Sequence, residues 1–255
     1  SIDLSNAIAP DVGRAKTDKG VKGLVLAIGA PLPGHEVRST RWLPDFRAVL
    51  AAPETFRYIV AYAGNTWEVF AMRVWFVPLL AFNAGLHAGA PHGLNLSVLA
   101  GVSAIVSVPV SIVVAELGVR FGRESVVRAV SLASVAVAVA LGALATSSFL
   151  VVLALLMLHG ASSYGDAGAI NGGLMVSSRP ETRSAALALF GLFGFTSGFL
   201  GPLAVGLTLH ATGGTSSPAA WFAALLVVGF GSVVSAGAMS RFGRTVDPSS
   251  GRPPR

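Results

Sequence analysis

Apolar residues in this chain fall in long runs that do not alternate with polar ones. Six runs, residues 56–82, 95–117, 126–146, 149–176, 184–210 and 219–240, are each long enough to cross a bilayer core, which takes about 20 apolar residues in a helix. Long runs without a two-residue period predict helices instead of barrel strands, because a helix satisfies its own backbone polar groups in lipid. The expected fold is therefore an all-α membrane protein, a six-transmembrane-helix bundle.

Composition supports this reading. Charged residues make up 12% of the 255 residues, about half the usual fraction, and mean hydropathy is +0.70. Residues 74–115, 129–165, 167–178 and 184–240 contain no Asp, Glu, Lys or Arg. The last of these stretches, 57 residues long, could not cover a soluble surface. Residues 1–53 differ in kind, mixing charge, Pro and Gly. Their apolar piece at 24–30 is too short to span, and they read as a cytoplasmic tail or linker, partly disordered, with 46–50 lying on the membrane surface. Residues 54–244 form the transmembrane domain, and 245–255 are a Pro/Gly/Ser/Arg tail expected to be disordered. The chain begins with Ser1 and no signal segment follows, which suggests a fragment or a processed chain.

Seventeen of the eighteen Lys and Arg residues lie at or before the first run, after the second, after the fourth, or at the end of the chain. The opposite loops carry none, so the positive-inside rule places both termini in the cytoplasm of a cell that holds the chain in its inner or plasma membrane. The net charge of +6 then reports topology, and nucleic acid is not an expected partner, since the soluble body that a basic module needs is missing. With no cysteine and no GxGxxG, Walker, HExxH or GxSxG pattern, neither a cofactor, a metal site nor an enzyme is expected. An intramembrane hydrolase would have to use Ser162 or Ser163 with His159.

The exceptions to the apolar rule carry the candidate chemistry. Glu68 and Arg73 in the first run and Asp166 in the fourth are ionisable residues within spans, costly unless paired or hydrated and so functional by default. Counted from the cytoplasmic ends at about 1.5 Å per residue, Glu68 and Asp166 lie about 16 Å deep, Arg73 about 24 Å and His159 about 27 Å. Arg73 is about 140° around the helix from Glu68, so a partner on another helix is expected, and it can reach toward Asp166 or Glu68. One carboxylate would remain in excess, and a buried acid that is cheap in lipid only when neutral suits a proton-binding site. The alternative is a buried ion network that only fixes packing. Around these charges lie Tyr62, Asn65, Trp67, Trp75, Tyr164 and Asn171, the polar tips and aromatic walls of a solute cavity. Small residues, Ser184, Ala188, Gly191, Gly194, Gly198 and Gly201 in the fifth run and Ser103, Ser107 and Ser111 in the second, mark seams for close helix packing.

Arg120-Phe121-Gly122-Arg123 follows the second run and Arg241-Phe242-Gly243-Arg244 the sixth, a faint internal repeat. With six spans, inside termini and this R-x-G-R loop, the chain resembles the C-terminal half of a major facilitator superfamily transporter. Arg120, Gly122 and Arg123 match that family's loop between its second and third, or eighth and ninth, helices. Val119 replaces its usual acidic residue, with Glu116 one turn back. Pro180-Glu181-Thr182-Arg183 is similar to the family's P-E-x-R element, and Gly198-x-x-Gly201-Pro202-x-x-x-Gly206 to its glycine-proline motif.

The resemblance implies two inverted three-helix repeats and a central cavity lined by the first and fourth spans. It also implies a cytoplasmic gate at Glu116, Arg120, Gly122, Arg123, Glu181 and Arg183, and a partner in a missing N-terminal six-helix half or a second copy. The expected function is secondary active transport of a small solute by alternating access, coupled to protons or another ion through Asp166 or Glu68. A mid-membrane Arg73 suits an anion or carboxylate-bearing solute. A six-span channel or an ABC-type permease subunit is the alternative.

Overall fold

The computed structural model describes residues 45–87 and 95–240, which form eight α-helices, one 3-10 turn and no strand. The lead-in through residue 44, the loop 88–94 and everything after residue 240 lie outside the described residues. So do the Arg241-Phe242-Gly243-Arg244 copy and the expected C-terminal tail, while residues 45–53 of the expected lead-in are described.

A short helix α1 (Phe46–Leu50) is capped by the Asp45 carboxylate, which accepts from the Ala48 N–H at 3.1 Å, and it inserts Val49 into the core. The six spans follow. They are α2 (Pro53–Leu86), α3 (Leu96–Phe121), α4 (Arg123–Ala143), a broken fourth span made of α5 (Phe149–Gly165) and α6 (Ala167–Ser177), then α7 (Arg183–Ala211) after a 3-10 turn at Pro180–Thr182, and α8 (Pro218–Ala238). Six segments are long and apolar enough to cross a membrane, each within a few residues of its expected run. Their outward side chains include Ile105, Ile112, Phe195 and Phe199, all more than two-thirds exposed, as lipid-facing helices require.

Between α3 and α4 the chain reverses on a single residue, Gly122, at φ +90. Only glycine adopts that conformation without strain, which accounts physically for the glycine of the Arg120–Arg123 loop. At the other end of α4, buried Asn83 of α2 donates to the Ala145 and Ser147 carbonyls at 3.0 and 2.7 Å and holds the turn into α5. Asn83→Leu should lower stability by about 1–3 kcal/mol, read as the mole fraction of denaturing detergent at the unfolding midpoint, because two turn carbonyls lose their donor.

The most extensive pairings are α2 with α7, α4 with α8, α2 with α8, and α3 with the fourth span. Glycine makes them close. Gly194, Gly198 and Gly201 of α7 lie against Tyr62, Phe70 and the Trp67 backbone of α2, and Gly64 of α2 meets the Gly231 carbonyl of α8 backbone to backbone. In α3, buried Ser103 and Ser107 pack on Gly160 of α5. The seam of α7 does not begin where the sequence suggested: Ser184 and Ala188 are exposed, and the buried line is Ala186, Leu189, Gly194, Gly198, Gly201 and Val205. The cause is helical phase, since Ser184 is ten residues before Gly194 and at about 3.6 residues per turn lies about 80° around the helix from it.

Two apolar clusters occupy the ends of the bundle. One contains Phe76, Leu80, Leu141, Leu156 and Trp221, and the other Ile59, Val127, Ile170, Leu174 and Met239. Along α2, α4, the fourth span and α8, the residues between the two clusters are the buried polar ones.

Candidate functional site

Two carboxylates sit in that middle layer, each on its own rung. Glu68 of α2, 1% exposed, accepts from Ser134 Oγ of α4 at 2.5 Å, from Ser163 Oγ of α5 at 3.1 Å, and from Ser232 Oγ of α8. Asp166, 3% exposed, accepts from Asn65 Nδ2 of α2 at 2.7 Å and from Ser131 Oγ of α4 at 3.2 Å, and Ser131 Oγ in turn lies 3.1 Å from Ser235 Oγ of α8, from which it can accept. Asn65 stands one turn before Glu68, Ser131 one turn before Ser134, and Ser232 one turn before Ser235 on α8. The rungs are thus about one helical turn apart, and the paired Ser-x-x-Ser steps of α4 and α8 supply both.

The fourth span breaks at Asp166, where the sequence predicts one continuous helix. Gly165 and Asp166 are weak helix formers, and Ser163 bonds back to the His159 carbonyl at 2.8 Å, so the local preference for a helix is low there. The Ser163 carbonyl beside the break accepts the second N–H of Asn65, at 2.6 Å. One amide therefore holds both the break and the carboxylate next to it.

His159 is fully buried. Its Nδ1 is 3.2 Å from Ser163 Oγ, and its Nε2 is 2.9 Å from Glu68 Oε1 at an angle that forms no hydrogen bond. Among the described residues, no Lys or Arg makes an ion pair with Glu68 or Asp166, so the only basic group at either carboxylate is this imidazole. The expected bond from Arg73 is absent. Arg73 is exposed on the other side of α2, with its guanidinium carbon 5.9 Å from the Phe70 ring centroid and 5.8 Å from that of Tyr164. The separation of 140° around α2 that keeps it from Glu68 also turns it from Asp166, which shares Glu68's side.

A cleft of about 50 Å³ opens between α2, α3 and α5, enough for a few waters. Arg73 and Tyr164 line it together with His159, Ser163 and Ser103. His159 and Ser163 thus have the cleft on one side and Glu68 on the other.

Comparison with family models, with curated proteins and with solved structures finds no match. The residues of the site are accordingly interpreted from their own geometry.

Four of the other residues expected at the site, Tyr62, Trp67, Asn171 and Trp75, do not join the network. Tyr62 stacks on Phe190 of α7 with centroids 3.6 Å apart, and Trp67 donates to the Val227 carbonyl of α8 at 2.8 Å. Asn171 is exposed and bonds the Ala167 carbonyl of its own helix at 2.8 Å. Trp75 likewise serves packing, donating to the Pro202 carbonyl at 3.0 Å. The serines of α4 and α8 carry no individual signal in the sequence, because single hydroxyls in apolar helices are common; their shared three-residue spacing is the signal available.

At the basic end, Arg57 of α2 is buried and pairs with Glu54 and, across to α4, with Glu124, while Thr55 Oγ1 donates to the Ser177 carbonyl of α6 at 2.9 Å. Arg123 lies over Gly172, and Arg183 donates to the Met175 and Ser178 carbonyls at 3.5 and 3.4 Å at the end of the fourth span. Glu116 and Arg120 bond each other at 2.9 Å on the exposed side of α3, and Glu181 is exposed in the 3-10 turn.

Proposed function

We propose that this chain is the C-terminal six-helix half of a proton-coupled secondary carrier of the major facilitator type. The observation that carries the proposal is a pair of carboxylates buried at mid-span, held by hydroxyls and an amide, with a histidine between one of them and an open cleft. Neutral donors keep a carboxyl in place whether or not it holds a proton, because a hydroxyl can turn from donor to acceptor. A salt bridge to arginine would instead favour one state.

The helix pairings support the same reading. Exchanging the first span with the fourth, the second with the fifth and the third with the sixth turns the pairing of α3 with the fourth span into that of α2 with α7. It leaves the contact of α4 with α8 unchanged, which is the behaviour expected of two inverted three-helix repeats. The interruption at Asp166 fits the broken helices from which such carriers build midplane sites. A channel is less well served, since the polar layer is closed above and below by apolar clusters. A hydrolase built on Ser163, His159 and Glu68 is poorly served too. Ser163 is 3% exposed in the interior of a helix, where backbone N–H groups are already bonded and cannot stabilise an oxyanion.

On this reading a second half, from an adjoining segment or another copy, faces the side of α2 and the fourth span that carries Arg73, Tyr164 and Asn171. Orientation is open to direct measurement because the chain has no cysteine. Single cysteines at Gly214 and at Glu181 should react with an impermeant maleimide from outside and inside respectively, and labelling from one side alone would refute the topology. Transport itself is tested in vesicles of the complete carrier with a lumenal pH dye. Addition of the transported solute should acidify the lumen, and solute uptake without any proton movement would refute proton coupling.

A further inference from the structure

The geometry points to Arg73 as the binding group for a small planar anion, an oxyanion or short monocarboxylate, taken into the cleft between α2, α3 and α5. This inference rests on the carrier reading and names its substrate class. Arg73 lies in the middle of a span, yet among the described residues it has neither an ion pair nor a hydrogen bond. Two aromatic rings, Phe70 and Tyr164, flank the guanidinium and steady it without using its N–H donors. A planar fork of donors held this way matches two oxygens of a trigonal anion.

The cleft sets the size and character of the ligand. At about 50 Å³ it admits a few heavy atoms, and Val69, Phe76, Ala100 and Ala104 make most of the wall beyond Arg73 apolar. A doubly charged anion would leave one charge without a partner there, whereas a single charge is balanced by Arg73.

His159 and Ser163 complete the wall and lead to Glu68. The charged and titratable groups facing this region are Glu68 and Arg73 from α2, His159 and Tyr164 from α5, and Asp166 at the break. The elements α3, α4 and α8 contribute hydroxyls only.

The test is calorimetric titration of the purified full chain in detergent with sodium nitrate or sodium acetate, in chloride-free buffer. Wild type should bind both probes and should bind sulfate at least about tenfold more weakly. Arg73→Gln, at an exposed position where folding is preserved, should lose at least about tenfold in affinity. Arg73→Lys should retain binding but lose preference for planar anions over chloride. Binding by Arg73→Gln at the wild-type level, or no binding of either probe by wild type, would overturn the inference. The carrier reading fails separately: anion binding that depends on Arg73 with no flux in the complete carrier would remove transport and keep the site, while proton-coupled uptake of a neutral solute by Arg73→Gln would do the reverse.

Discussion

If the chain works as a proton-coupled carrier, Glu68→Gln should abolish proton translocation in the complete protein, with an expected loss of at least about a hundredfold, because the substituted side chain cannot carry a proton. The fold should survive. The amide oxygen still accepts from Ser134, and its NH2 can donate to Ser232 once that hydroxyl turns. Asp166→Asn separates the two rungs. Asn65 can still donate to the new amide oxygen, so the break is held, but transfer past Glu68 stops. Proton exchange between the cleft and Glu68 then continues without net transport. The two outcomes are distinguished by flux into dye-loaded vesicles together with infrared difference spectra of the chain across a pH step. Glu68→Gln removes the carboxyl band that responds to anion addition, and Asp166→Asn retains it. Wild-type flux in both variants would show that the ladder is only structural.

The largest effect on stability is expected at the crossing of α2 and α8. At Gly64, a Cβ would run into the Gly231 carbonyl and come within 2.9 Å of the Ser235 backbone nitrogen, so neither helix can relieve the overlap by a rotamer change. Gly64→Ala should cost about 3 kcal/mol and Gly64→Val more, despite the gain in helix propensity of about 1 kcal/mol that alanine normally brings. Since Glu68 and Ser232 meet one turn further along the same pair of helices, the lesion should also open the upper rung. Gly101 is the control. A Cβ there meets nothing within 4 Å, and Gly101→Ala should be neutral or slightly stabilising in the same detergent titration.

How far the sequence could be read follows from what each signal depends on. Spans are written in uninterrupted stretches of apolar residues, and solvation alone sets that requirement, so all six were legible to within a few residues. The ionisable residues at Glu68, Asp166 and His159 were legible for the same reason, as violations of it. Partnership was not. The placement of Arg73 opposite the carboxylates depends on how α2 is rotated against its neighbours, and that rotation is set by Gly64, Gly194 and Gly201 meeting particular atoms on other helices. At Asp166 the weak helix formers Gly165 and Asp166 were visible locally, but the amide of Asn65 that holds the break beside Ser163 arrives from α2 and is not written in the local sequence. In the Arg120–Arg123 loop, Gly122 is accounted for by its positive φ, while Glu116 and Arg120 form an ordinary surface pair one turn apart.

The way α3 is held has a mechanical consequence. Its buried line of Ser103, Ser107, Val114 and Gly118 meets glycines of the fourth span, with Ser103 and Ser107 at Gly160 and Val114 at Gly165, so the two helices approach without large side chains between them. Because α3 also forms one wall of the cleft, a bulkier residue at Gly160 would have to push that wall outward and widen the opening, while the hydroxyls of α4 and α8 that hold the two carboxylates kept their places.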